Sequence, residues 1–283
     1  MKKIITLVLA LCMVFALCAC GASASTEAEA ASNVLVFGTS ADYAPFEFMY
    51  PDEKGDMVYG GIDVFVAQYF AEFNNMELQI ENMDFGYLLT ALNKGDFDIV
   101  MADIEPTEAR QKACDFSKPY YYEYPEKLVI RAEDADKYVN AETDFNGVSI
   151  AGQSGSTKPQ KIADNYAGAE VIELALIPDM INELVNGKID ACLLDYSVAI
   201  QYVNANPDLA ISDASDVFGD EPLPVACAVA KGDPKGLLPK INAAIEEMEK
   251  SNMIDDFIAQ AEALNDVWQE TSGYVPEGYT PDA

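Results

Sequence analysis

The segment Glu81–Tyr122, ENMDFGYLLTALNKGDFDIVMADIEPTEARQKACDFSKPYYY, decides the fold. Phe85, Leu88, Leu89 and Leu92 fall at helical spacing, so the pattern predicts a helix over Phe85–Asn93, and Gly95 stands where a helix C-terminal glycine belongs. Phe97–Ala102 then reads as a buried strand. Asp103 and Glu105 follow its end, Pro106 and Thr107 open a new helical turn, and Arg110 lies one turn on. Open α/β sheets bind their ligands beyond the C-terminal ends of their strands. The stretch therefore aims two carboxylates and one guanidinium at a pocket.

The alternation continues on both sides. Upstream, Val34–Phe37 predicts a strand, Gly38–Phe48 a loop, Asp52–Asp56 a hairpin turn, Ile62–Phe73 an amphipathic helix and Leu78–Ile80 a strand. Downstream, strands are expected at Lys127–Arg131, Val148–Ala151, Ala169–Leu174, Ile189–Leu194 and Val225–Ala230. Helices are expected at Pro159–Tyr166, Pro178–Asn186, Val198–Asn204, Leu237–Lys250 and Met253–Asp266, with a loose tail from Thr271. Such alternation implies parallel α/β sheets. It also carries a repeat. LNKGDFDIVMAD (Leu92–Asp103) and LVNGKIDACLLD (Leu184–Asp195) both run helix end, glycine, strand, aspartate, and Gly95 to Gly187 and Asp103 to Asp195 are each 92 positions. Two similar lobes with a cleft between them follow, and clefts at domain interfaces are favoured ligand sites.

Composition narrows the function. The chain has 283 residues, half of them apolar, and a net charge of −31 with no basic patch, which disfavours nucleic acid and anionic lipid as partners. Histidine is absent, which removes Ser-His-Asp and Cys-His nucleophiles and any His-ligated zinc. Gly152–Lys158 (GQSGSTK) lacks the order of a phosphate loop. The spacing at Asp52–Asp56 does not fit a calcium loop. No metal or cofactor is expected.

Lys2 and Lys3 precede an apolar run from Ile4 to Leu17, a secretory leader too short for a membrane span. Its end, Leu17-Cys18-Ala19-Cys20-Gly21, resembles the bacterial lipoprotein signal. That resemblance implies cleavage after residue 19, acyl chains such as palmitate on Cys20, a tether over residues 20–32, and a chain anchored to the cell membrane on its extracytoplasmic face. Cys114, Cys192 and Cys227 remain, each among apolar neighbours, and read as buried free thiols.

The residues at the predicted pocket suit a zwitterion. A carboxylate wants a planar two-pronged donor, which Arg110 supplies, and an ammonium wants a carboxylate, which Asp195 supplies from the other half. Gly155-Ser156-Thr157, before a helix, adds backbone N–H groups for an anion.

Seven runs in order now resemble a known family: GTSADYAPFEF, GGIDVFVAQYF, MDFGYLLTALNKGDFDIVMA, PTEARQKACDFSKPYY, QSGST, GKIDACLLD and AVAKGDPKGLLPKINAAIEEM. The chain resembles the bacterial extracellular solute-binding proteins (family 3 type) that serve polar amino-acid ABC transporters, from about Val34 to Trp268. The resemblance implies a two-lobed periplasmic-binding-protein-like α/β fold, two sheets with flanking helices joined by two hinge strands. Residues 33–126 and 231–283 would form lobe 1, 132–223 lobe 2, and 127–131 and 224–230 the hinges. It implies that Arg110 clamps the ligand carboxylate, that Thr157 and Ser156 assist, that Asp195 holds the ammonium, and that Tyr43 and Phe85 flank the side chain. It also implies a monomer that delivers its ligand to the permease subunits of the transporter.

Two positions depart from the family. Asp103 stands where Gly or Ser is usual, and Glu105 where Ser or Thr is usual. Extra acids near Arg110 either compete with the ligand carboxylate for it or neutralise a second positive charge on the ligand, and on the second ground a cationic or strongly polar amino acid is expected. Ser40, where basic-ligand members carry an acid, and the glutamine-binder look of Met83-Asp84-Phe85 weigh against it. The chain is expected not to be an enzyme. The alternatives are a cyclohexadienyl or arogenate dehydratase-like enzyme of the same fold, with Asp103 and Glu105 as an acid/base pair, and a ligand-sensing module.

Overall fold

The computed structural model describes residues 33–271. The leader, the tether with Cys20 and the tail after Thr271 lie outside the described residues. β1 (Val34–Thr39) leads into a small antiparallel sheet of β2 (Asp42–Tyr43), β3 (Glu47–Pro51) and β4 (Met57–Gly60). Gly38–Phe48 is thus not one loop, as the sequence suggested. Its apolar residues Tyr43, Phe46 and Phe48 pack inward; β2 and β3 hold the backbone of Tyr43 and Phe48, and the Phe46 N–H donates to the Tyr43 carbonyl at 2.9 Å. The expected turn closes β3 on β4, where Asp52 Oδ1 accepts from the N–H groups of Lys54 and Asp56 at 2.8 and 3.0 Å.

Next come α1 (Ile62–Phe73), β5 (Glu77–Asn82), a 3-10 turn at Phe85–Tyr87, α2 (Leu88–Lys94), β6 (Ile99–Val100), α3 (Glu108–Ala113) and β7 (Cys114–Glu123). α1 has the expected bounds, and Ile62, Val66 and Phe70 make its buried stripe. β6 is shorter than the run Phe97–Ala102 suggested, although that whole run is buried. β8 (Lys127–Arg131), β9 (Ser149–Gln153), α4 (Lys158–Asn165), β10 (Glu170–Leu174), α5 (Ile177–Val185), β11 (Ala191–Leu194), α6 (Tyr196–Ala205) and β12 (Leu209–Ile211) follow. β13 (Leu223–Ala230), α7 (Leu238–Ser251) and α8 (Met253–Thr271) end the described chain.

Two five-stranded sheets organise these elements, in the orders β5-β1-β6-β13-β7 and β10-β9-β11-β8-β12. The sheets are mixed, not purely parallel. β5, β1 and β6 run parallel, then β13 and β7 alternate; β10, β9 and β11 run parallel, then β8 and β12 alternate. The expectation of parallel sheets missed β13 and β8, each of which runs against the parallel strand beside it, and with them the outer strands β7 and β12 that they carry. The repeat has a structural counterpart, since in each sheet the third parallel strand follows a helix closed by a left-handed glycine, Gly95 at φ 88° and Gly187 at φ 69°. The stretches read as hinges lie within ladders: Lys127–Arg131 pairs in the second sheet and Leu223–Ala230 in the first. The chain passes between the sheets at residues 124–126 and 219–222.

Leu88, Leu92, Phe97 and Val100 pack under α2 on one face of the first sheet, each contributing roughly 2 kcal/mol by its burial. Leu128, Ile150, Phe145 and Tyr166 do the same on the second. Cys114, Cys192 and Cys227 are buried free thiols. Among the described residues no helix is long and apolar enough to cross a membrane.

Candidate functional site

In both sheets the first parallel strand lies between the second and the third, and its C-terminal end marks the point where the strand order reverses. Ser40 follows β1 and Gln153 ends β9; Asp103 and Asp195 follow β6 and β11. All four line one cavity, of about 20 Å³, which is room for about one water. The cavity also takes in Tyr43, Phe85, Glu105, Arg110, Ser156, Glu47 and Lys158. Seven of the eight ligand-site residues expected from the sequence are therefore brought together. Thr157, at the N-cap of α4, is not among the lining residues.

Arg110 is placed by its helix. Thr107 caps α3 by accepting from the Arg110 N–H at 3.2 Å, which sends the side chain back toward the strand ends. The guanidinium donates to the Glu105 carbonyl at 3.1 Å and lies over the Phe85 ring at 5.5 Å. Burial lowers its pKa, against the raising effect of Glu105, Asp195 and Asp103.

Asp103 is the most strained residue of the site. Its φ is +45°, a region that non-glycine residues seldom occupy. Its N–H donates to Asp63 Oδ2 at 2.9 Å, and neither carboxyl oxygen has a hydrogen-bond partner. Burial, then the charges of Asp195 and Glu123, push its pKa well above the carboxylate range. Glu47, beneath it, is pushed up in the same way by burial and by Asp63. Asp63 itself rises to about 6 through burial, although it accepts from Tyr120 Oη at 2.7 Å.

Asp195 has the opposite character. Burial works to raise its pKa, but the Lys158 ammonium and hydrogen bonds from Lys158 and Tyr43 outweigh it and hold the carboxyl low. Lys158 Nζ lies 2.7 Å from Oδ1 and 2.6 Å from Oδ2, and Tyr43 Oη donates to Oδ2 at 2.5 Å. Lys158 also lies 3.7 Å from Glu126, which pairs with Lys161; Lys161 in turn reaches Glu105 at 3.5 Å. One oxygen each from Glu105, Glu126 and Asp195 fall within 4.8 Å of one another, a set that could hold a divalent cation were it not already met by two lysines. Ser156 is spent locally: its N–H and its hydroxyl both donate to the Gln153 carbonyl, at 3.1 and 2.7 Å.

Sequence reasoning missed Lys158, Lys161, Glu126 and Glu47. A signal existed for the lysines. Both stand in the first turn of α4, where cations oppose the helix dipole, and such a placement calls for buried acids opposite.

A family model described as bacterial extracellular solute-binding proteins, family 3, matches residues 35–260. The arginine-binding extracellular protein ArtP of Bacillus subtilis (strain 168) is 32% identical over 258 residues, covering 90% of this chain and 96% of ArtP. The structure is similar to that of an amino acid ABC transporter substrate-binding protein, AbpA of Streptococcus pneumoniae, bound to L-arginine. The TM-score is 0.76 at 27% identity, covering 82% of this chain and 96% of that one. It is also similar to the ancestral amino-acid-binding protein AncCDT-1, a precursor of cyclohexadienyl dehydratase, with a TM-score of 0.70 at 29% identity over 81% of this chain and 95% of that one.

Proposed function

The chain belongs to the bacterial extracellular solute-binding proteins of family 3, and from that premise we propose that it captures a free amino acid and delivers it to the permease subunits of an ABC importer. The observation that carries this reading is that Arg110 and Asp195, from opposite sheets, line one cavity. Arg110 takes the carboxylate with its two-pronged guanidinium, Asp195 takes the ammonium, and Tyr43 and Phe85 flank the side chain. Ser156 and Thr157 shape the rim at the start of α4. Asp103 and Glu105 give the site a surplus of carboxyl groups, which favours a cationic or strongly polar ligand; the arginine named for ArtP and AbpA accords with that.

Residues 33–126 with 231–283 act as one lobe and 132–223 as the other, and the crossings beside Lys127–Arg131 and Leu223–Ala230 act as hinges. Cys20 carries the lipid that holds the monomeric protein at the extracytoplasmic face of the membrane. The intact mass of detergent-extracted protein is expected to equal the chain from Cys20 plus acyl chains; a soluble product with another N-terminus overturns the anchor.

Calorimetry with L-arginine, L-lysine, L-ornithine and L-glutamine tests the ligand class. Tight binding of an apolar amino acid alone overturns the cationic preference. Arg110→Ala is expected to abolish binding with the circular dichroism spectrum unchanged, and retained affinity refutes its role. A dehydratase-like enzyme is the second reading, favoured by Asp103 and Glu47, whose carboxyls burial pushes well above the usual range in the direction a general acid needs. A binder returns its amino acid unchanged from the calorimeter cell; an enzyme does not.

A further inference from the structure

Asp195, the carboxylate assigned to the ligand's ammonium, already holds one. Lys158 Nζ contacts both of its oxygens at 2.6–2.7 Å, and the pair is almost fully buried. The pair belongs to a row that alternates in sign: Asp195, Lys158, Glu126, Lys161, Glu105. Three acids meet two bases there, so the row lacks one cation. Arg110 makes no ion pair among the described residues; it donates to a backbone carbonyl and lies on Phe85, which keeps its charge available for a carboxylate.

We propose that Lys158 is a specificity-determining residue: a tethered ammonium that occupies Asp195 in the ligand-free chain and is displaced toward Glu126 by the ammonium of the ligand. This rests on the reading of the pocket as an amino-acid site. Glu126 lies 3.7 Å from Lys158 Nζ, so the move is a side-chain rotation. Lys161, which shares Glu126, has Glu105 within 3.5 Å to move toward. Each cation advances one carboxylate and no buried charge is left without a partner, which is what makes the exchange affordable in a dry site. The added ammonium brings three acids and three bases into balance.

The device selects among ligands. A group tethered beside its partner competes at an effective concentration of millimolar or more. A simple amine offers only an ammonium and competes poorly with Lys158. An amino acid adds a carboxylate for Arg110 and so gains the energy that displacement requires.

Calorimetry with L-arginine, L-lysine, L-glutamine and agmatine, the decarboxylated form of arginine, tests this on wild type, Lys158→Met and Lys158→Arg. The methionine variant is expected to melt lower without ligand, to bind its best amino acid about tenfold tighter, and to accept agmatine that wild type refuses. The arginine variant is expected to stay near wild type, because the competing charge remains. A buried pair that is only structural predicts instead a less stable variant with equal or weaker affinity, and that result overturns the proposal. Should Lys158→Met fail to fold, Lys158→Gln carries the same expectations. If wild type binds an amino acid and the neutral variants gain nothing, only the role of Lys158 falls; if no amino acid binds to any form, the reading of the pocket falls with it.

Discussion

Asp103 shows what a single residue costs this fold. A left-handed backbone, a buried carboxyl and two oxygens without partners meet at one position, and each is a recognised mark of a functional site rather than of a stable one. Its consequence can be measured through pH. Burial raises Asp103 and Glu47 well above the ordinary carboxylate range, Asp63 to about 6 and Glu123 to about 7. A carboxyl raised on folding binds its proton more tightly in the folded chain. The stability it confers is complete below its unfolded value and is lost as pH rises through the folded one. For Asp63 and Glu123 that window runs from about 4 to 7. Asp195 is held low by Lys158, so its contribution is present throughout that upper range and lost only in acid. The melting temperature is therefore expected to be higher at pH 5.5 than at pH 8. Asp103→Asn, which keeps the neutral shape, is expected to be more stable than wild type at pH 8 and little changed near pH 4. Denaturant titrations at the two pH values check both; a variant equal to wild type at pH 8 would mean that burial does not raise the Asp103 carboxyl.

Elements differ in how legible they were, and the reasons are physical. α1 was read to its bounds because Ile62, Val66 and Phe70 recur at helical spacing and Gly60-Gly61 ends the strand before it. The two helix–glycine–strand units stood out because a left-handed C-cap needs glycine, and the register between them proved topological: both close on an aspartate at a strand end. β7 escaped because CDFSKPYYYE mixes serine, lysine and proline into an antiparallel strand whose burial pattern is irregular. β2 and β3 escaped because short strands inside a loop-rich run carry too few residues to show a period. At the site, strand ends and a capped helix announced Asp103, Glu105, Arg110 and Asp195 through local chemistry. Lys158, Lys161 and Glu126 did not announce themselves, since an ion-pair row assembled from α4, the end of β11, the loop between β6 and α3 and one crossing segment has no local pattern. Only the misplaced charge at the start of α4 hinted at it.

At the scale of the molecule, the two sheets are tied together by the protein's own groups. The Ile177 N–H donates to Asp42 Oδ2 at 2.9 Å, Lys161 reaches Glu105 at 3.5 Å, and Tyr43 Oη donates to Asp195 at 2.5 Å. Only two chain passages, at residues 124–126 and 219–222, join the sheets covalently. Both halves also contribute to one apolar cluster, which holds Tyr43 and Phe46 together with Ile177, Met180 and Tyr202, so opening breaks a few polar contacts and part of that packing. Tyr43 makes the strongest of them, because a hydrogen bond to a buried, ionised carboxylate is worth about 1.5–3 kcal/mol. Removing it moves a closed-to-open equilibrium roughly ten- to a hundredfold toward open. A compact chain spanning the described residues has a radius of gyration of roughly 18 Å. Small-angle scattering of ligand-free Tyr43→Phe is expected to give a larger radius than ligand-free wild type, and saturating ligand is expected to bring the two together, because the ligand supplies the contacts that the hydroxyl no longer makes. Identical scattering from the two ligand-free proteins would mean that the tyrosine does not hold the gap shut, and that the ion pair between Lys161 and Glu105 with the backbone tie at Ile177 suffices.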